Sequence, residues 1–206
     1  YPAAISNSWS SVFRLSATLK EPVDPQILES ALDITVRRFP SICARLRKGL
    51  FWYYLEQVPH APKIRAEGSY PVSNMPKKEV RQCAFRVFVY DKRIAVEFFH
   101  SLTDGNGGMV FLKTLLAEYL HQKHGLVIPT GDGILGRMEE PSREEMEDSF
   151  QKHAGAVAAN RGESTAWRLT GTPEPDGQRN LICLRLNTSS VLDAAHNYGV
   201  SATAFL

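Results

Sequence analysis

From Ser10 to Leu19, Phe13, Leu15, Ala17 and Leu19 alternate with Val12, Arg14, Ser16 and Thr18, which predicts a strand with one apolar face. Glu21-Pro22 breaks it. Asp24-Pro25 then supplies a side-chain acceptor at an N-cap and a proline at N1, so a helix should begin there. Leu28, Ala31, Leu32, Thr35, Val36 and Phe39 fall on one face of that helix, and Pro40 ends it. Ser41 to Lys48 and Leu50 to Val58 read as two strands around Lys48-Gly49, with Ile42, Ala44 and Leu46 facing one way and Cys43, Arg45 and Arg47 the other. Pro59 to Pro76 reads as loop. Ala84 to Tyr90 and Arg93 to Phe99 are expected to pair as a hairpin about Asp91-Lys92.

A helix is expected from Gly107 to His124. Met109, Leu112, Leu115, Leu116, Tyr119 and Leu120 recur at its period, Lys123 and His124 suit its negative end, and Gly125 stands at C′. Leu126 to Pro173 is an excursion of different character. Ser142 with Glu145 forms a capping box for a short helix near Arg143 to Lys152, and the small, polar stretch Ala154 to Ser164 is expected to be mobile. After a Pro/Gly-rich link come a strand, Asn180 to Leu186, and a helix around Ser190 to Tyr198; Ser201 to Leu206 starts a further helical pattern. Short connections between most strands favour an α+β, two-layer arrangement: a mixed, mostly antiparallel sheet with helices on one face.

The chain has 206 residues, 43% hydrophobic and 22% charged, which suits a folded core rather than a disordered chain. Its net charge of +2 gives no electrostatic reason to expect nucleic acid. No apolar run reaches the length of a membrane span. Cys43, Cys83 and Cys183 have neither zinc spacing nor an even count, so a reducing, cytoplasmic setting is expected.

Chemistry concentrates in His100-Ser101-Leu102-Thr103-Asp104-Gly105, where a strand pattern gives way to a helix pattern. Imidazole titrates near neutrality, so a fixed His100 can take a proton and return it. Gly105 is expected to spare a Cβ where strand end and helix start approach. Six histidines give about a 2% chance of one accidental H-x-x-x-D-G at average Asp and Gly usage. Competing features are weaker. His121 and His124 have no carboxylate on their face to complete a metal site, so none is expected. Gly131-Asp132-Gly133 lacks the lysine of a phosphate loop. Trp9, Trp52, Tyr53 and Tyr54 read as core or a buried strand face. Arg37-Arg38 and Lys77-Lys78 read as solvated pairs. Ser101 adjoins the histidine too closely for a triad.

The motif at a strand end, the helix Met109 to Leu120, and the stretch Arg38 to Tyr54 (RFPSICARLRKGLFWYY) together resemble the chloramphenicol acetyltransferase-like superfamily, in particular its alcohol O-acetyltransferase branch and the condensation domains. The resemblance runs from about Ser10 to Leu206, weakly through Pro129 to Pro173. It implies a two-half fold of which residues 1–178 are the N-terminal half, with 126–178 as the excursion, and 179–206 a crossover strand and the start of a second half. On that division Phe98, Phe99, Met109 and Phe111 should border an open cleft that also exposes His100. The resemblance further implies a CoA-dependent acyltransferase: His100 is the general base, Asp104 and Gly105 are structural, and an arginine, for which Arg45 is the candidate, is salt-bridged to Asp104. Acyl-CoA, acetyl-CoA above all, is co-substrate, a small alcohol or amine is acceptor, and no tightly bound cofactor is required. Condensation domains usually carry a second histidine where this chain has Phe99, which favours transfer to an alcohol or amine over peptide condensation. A condensation-type enzyme using a carrier-bound acyl group and a non-catalytic binding or scaffold domain of the same fold stand as alternatives. Homo-oligomerisation is left open.

Overall fold

The structure, a computed structural model, describes residues 5–6, 10–68, 70–147, 152, 155, 170–172, 174–175 and 182–206. Strand β1 (Val12–Thr18) leads to helix α1 (Pro25–Arg38), then β2 (Ala44–Lys48), β3 (Tyr53–Gln57) and β4 (Arg65–Ala66). A single turn, α2 (Lys77–Val80), precedes β5 (Phe85–Tyr90) and β6 (Arg93–Phe99), and the long helix α3 (Gly105–His124) follows. Among the described residues three short helices come later: α4 (Arg143–Met146), α5 (Thr188–Asn197) and α6 (Ala202–Phe205). The main sheet has the order β1-β6-β5-β4 and is antiparallel except for the β4–β5 pair. Strands β2 and β3 form a separate antiparallel hairpin. The expected α+β architecture, a mixed and mostly antiparallel sheet, is therefore what the chain adopts.

Local chemistry explains the element ends. Asp24 accepts hydrogen bonds from the Gln26 and Ile27 amides and starts α1 ahead of its N1 proline. Gly125, at φ 67°, gives the left-handed residue that closes α3. Ser142 caps α4 through the Glu145 amide, as the capping box requires; residues 148–151 of the helix expected there lie outside the described ones. In the β5–β6 hairpin Tyr90 pairs with Arg93, which leaves Asp91-Lys92 as the turn.

Helices α1 and α3 pack together over one face of the sheet. Leu28, Leu32 and Val36 of α1 and Phe111, Leu115 and Tyr119 of α3 meet Val87, Ile94, Val96 and Phe98. The Phe111 ring stands edge-on to Phe39, Phe85 and Phe98 at 5.2–5.7 Å. The Asp24 amide donates to the Tyr119 hydroxyl at 2.9 Å, which ties the start of α1 to α3. A second cluster, of Ile5, Leu46, Met75, Val80, Ala84 and Phe99, is joined to the first by Leu102, which packs against both.

Several expectations need correction. The strand expected over Asn180–Leu186 does not form in its described part: Ile182 to Asn187 carry no ladder, and Ile182, Leu184 and Leu186 are exposed. Apolar alternation there supplies the face of a strand but no partner edge for its backbone groups. The loop expected over Pro59–Pro76 contains β4, whose two residues pair parallel to β5. The strands expected to start at Ser41 and Leu50 start only at Ala44 and Tyr53. Trp52, Tyr53 and Tyr54 are exposed rather than core, because β2 and β3 form a sheet of their own and nothing among the described residues covers these side chains; Trp9 lies outside the described residues. Phe98, Phe99 and Phe111 are fully buried, so they border no open cleft; Met109 of that group is exposed. Among the described residues no helix is long and apolar enough to cross a membrane.

Candidate active site

His100 directly follows the last residue of β6, a strand flanked on both sides by β1 and β5. Its amide donates to the Ser11 carbonyl at 2.8 Å, and its half-buried ring lies 4.8 Å from the Phe13 ring, tilted by 54°. The Phe99 amide donates to Ala84 O, and the Leu102 amide turns back onto Phe99 O. The backbone on either side of the histidine is thus fixed. A ring carried at such a point has little freedom to leave the orientation its neighbours set.

Four residues on, Asp104 is the N-cap of α3. Its carboxylate accepts from the Gly107 amide at 2.8 Å, and its carbonyl accepts from Gly108. Asp104 is exposed, and among the described residues it forms no ion pair. The expected Asp104–Arg45 bridge is therefore corrected. Arg45 donates from Nε to Glu56 at 2.5 Å, its register partner across β2–β3, and Arg47 reaches the same carboxylate at 3.2 Å. A carboxylate placed just before a helix meets unpaired backbone N–H groups first, and these fix the aspartate without an arginine.

The role expected of Gly105 belongs to its neighbours. A Cβ on Gly105 would meet nothing within 4 Å. One on Gly107 would lie 2.1 Å from Thr103 Oγ1, and one on Gly108 3.1–3.2 Å from Leu15 and Phe13. The close approach of helix start to β1 therefore falls at Gly108, while Gly107 abuts Thr103 of the turn before the helix.

Beside the motif opens a cavity of about 690 Å³, walled by Ser101, Leu102 and Thr103 together with Arg38, Leu55 and Val110. Arg38, expected as a solvated charge, is buried at the end of α1 and grips Glu145 of α4 with both terminal nitrogens, at 2.5 and 2.9 Å. This two-pronged bond holds the Glu145 carboxyl below its usual range and raises the arginine's pKa further. A segment far along the chain is thereby pinned over the cavity.

Sequence reasoning missed a buried charge ladder that ends three residues before His100. Glu97, 1% exposed, stands opposite Arg14 on β1 and Arg86 on β5. Its Oε2 accepts from Arg86 Nε at 2.7 Å, and its Oε1 accepts from Arg14 Nη1 at 3.1 Å and from the Val72 amide at 2.7 Å. Arg86 also donates to Ser73 O, and Arg14 to Glu67 at 2.5 Å. The signal was available: once the hairpin turn is set at Asp91-Lys92, Arg86 must face Glu97. Elsewhere, His121 Nδ1 lies 3.1 Å from Leu126 O and His124 3.7 Å from Glu21, so neither ring turns toward a shared ligand position. Among the described residues no group of three or more His, Cys, Asp or Glu could hold a metal.

No protein-family model and no curated protein matches the chain. Several solved structures are similar to part of it. The SgcC5 protein of Streptomyces globisporus is 16% identical, with a TM-score of 0.47, over 59% of this chain and 32% of that one. The X-domain from teicoplanin biosynthesis is 15% identical, with a TM-score of 0.46, over 57% of this chain and 29% of that one. The first condensation domain of the calcium-dependent antibiotic synthetase, in complex with a substrate analogue, is 16% identical, with a TM-score of 0.44, over 59% and 35%. The chain thus spans about a third of the length of each of these proteins, which are what it is similar to.

Proposed function

We propose that this chain carries the acyl-transferring histidine of a CoA-dependent acyltransferase. The observation that carries the reading is His100 itself: a half-buried imidazole at the end of β6, fixed through Ser11 and Phe13, immediately before three residues that wall a cavity whose lining does not include the ring. The acceptor's hydroxyl proton passes to the imidazole while its oxygen forms a bond to the thioester carbonyl carbon. The C–S bond then breaks, and the imidazolium returns the proton to the leaving thiolate. No covalent acyl-enzyme is needed, and a general base of this kind contributes ~10²–10⁴-fold. Transfer further requires a donor to the oxyanion. Phe99 at the position before the histidine supports an alcohol or amine acceptor over a peptidyl one.

The full chain incubated with acetyl-CoA and a panel of alcohols and amines should release thiol above background, and His100→Ala should not. Release only from an acyl group loaded on a carrier protein would move the reading to the condensation-type alternative. No release from either donor, or release unchanged in the His100 variant, would leave a binding domain.

A further inference from the structure

The β2–β3 hairpin ends in the most exposed apolar cluster among the described residues: Leu50 is 87% exposed, Phe51 91% and Trp52 62%. Tyr53, Tyr54 and Leu55 continue the exposed surface down β3. Ordinary scatter of surface apolar residues does not account for six in a row. The tip is built rather than loose. The Gly49 amide closes the turn on Trp52 O at 2.8 Å, and the Trp52 indole folds back over Gly49. The base is anchored as well: the Ala84 amide donates to Ala44 O, the Val58 amide to Cys43 O, and Leu46 is buried with Phe99 and Val80.

Cations gather beside the last ladder pair below this tip, Lys48–Tyr53. Arg47, Lys48, Lys77 and Arg81 line one small cavity with Tyr53, and Lys78 is the next residue of α2. Lys48, Lys77, Lys78 and Arg81 are exposed, and none forms an ion pair among the described residues. The acidic groups nearby are already engaged. Glu56 is shared by Arg45 and Arg47, and Glu79 turns to Arg65 and Arg86. The hairpin therefore presents an exposed Leu-Phe-Trp apex, tyrosines behind it, and unpaired positive charge beside its last ladder pair.

We propose that the β2–β3 hairpin is a docking finger for an anionic lipid surface: Leu50, Phe51 and Trp52 enter the boundary between headgroups and acyl chains, and Lys48, Lys77, Lys78 and Arg81 meet the headgroup charge. Indole and phenol rings favour that interface, and basic side chains beside an apolar wedge are attracted to its surface potential. A convex apex suits a fluid bilayer. A stable protein partner would instead need roughly 800 Å² of matched surface on each side. This inference does not depend on the acyl-transfer reading.

The test is co-sedimentation of the full chain with phosphatidylcholine vesicles, with and without phosphatidylserine. Binding should require phosphatidylserine and weaken as salt rises. Each cation removed, as in Lys77→Gln and Arg81→Gln, should lower partitioning roughly fivefold. Phe51→Ser with Trp52→Ser should lower it by about tenfold or more, with the circular dichroism spectrum unchanged because both side chains are exposed. Equal sedimentation with both vesicle types, or none with either, would overturn the proposal. So would a chain that self-associates through the same residues: a dimer dissolved by the Phe51/Trp52 variant, without vesicle binding, assigns the finger to a second copy.

Discussion

Replacing Glu97 with glutamine keeps the shape of the side chain and removes the carboxylate on which Arg14 and Arg86 converge. Four donors reach that carboxylate within 3.1 Å: Arg86 Nε and Nη2, Arg14 Nη1 and the Val72 amide. A neutral amide can accept at only one of its two ends, so its NH₂ must face buried donors. Breaking one member of a buried charged pair costs ~3–5 kcal/mol. Here both arginines keep a second carboxylate, Glu67 for Arg14 and Glu79 for Arg86. The loss should therefore lie near the lower end, about 3 kcal/mol. For a chain of this size each kcal/mol moves the melting temperature by about 2–4 °C, which predicts a fall of roughly 6–12 °C for E97Q.

Thermal unfolding followed by circular dichroism measures this directly. Glu56→Gln serves as the comparison, because its pairs with Arg45 and Arg47 are partly solvated, and such pairs are worth ~1 kcal/mol or less. Replacing both partners, as in Arg86→Met with Glu97→Leu, should cost less than Glu97→Leu alone, since no uncompensated Arg86 charge remains buried. A fall of under about 2 °C for E97Q, or a comparable fall for Glu56→Gln, would refute the assignment of the ladder as what holds β1, β6 and β5 in register beneath His100.

Further outcomes follow from the same geometry. His100→Ala should keep the wild-type melting curve and lose roughly 10²-fold or more of any acyl transfer, measured as thiol release. Asp104→Ala should cost about 1 kcal/mol, the worth of an N-cap, and so lower the melting temperature by only a few degrees. Gly107→Ala should be destabilising through Thr103, whereas Gly105→Ala should be neutral or stabilising in the same melts. Arg38 holds the Glu145 carboxyl low, so the stability this pair adds is complete above the unfolded carboxylate value of about 4.3 and is lost as pH falls through the lower folded value; the melting-temperature gap between the parent and Glu145→Gln should close in that window. Burial pushes the Cys43 thiol up to about 12, so iodoacetamide near neutrality should modify the exposed Cys183 and spare Cys43, as peptide mapping would report.

Local sequence made some of this legible. Asp24-Pro25 and Gly125 mark helix ends through groups that act on their own backbone neighbours, so no tertiary knowledge was needed. The β5–β6 hairpin was likewise readable, because alternation and a two-residue turn fix which residues face each other. The His100 motif was visible for the same reason: it lies where one periodicity stops and another begins.

What escaped depends on partners distant in sequence. Arg45 faces away from Ile42, Ala44 and Leu46, which makes it a candidate partner for Asp104, but register places Glu56 opposite it and the aspartate has a helix amide within reach. Arg38 sits beside Arg37, and nothing local separates an exposed arginine from one that meets a glutamate 107 residues later. The aromatic run Phe51 to Tyr54 has the composition of a core strand, and composition cannot say whether a hairpin joins the main sheet or stands as a sheet of its own. The same limit explains Ile182, Leu184 and Leu186: alternation specifies a face, and only a free neighbouring edge turns that face into a strand. Arg45 and Arg86 thus take their roles from the registers of the β2–β3 and β5–β6 hairpins, which bring Glu56 and Glu97 opposite them, whereas Arg38 takes its role from a helix that arrives 107 residues later.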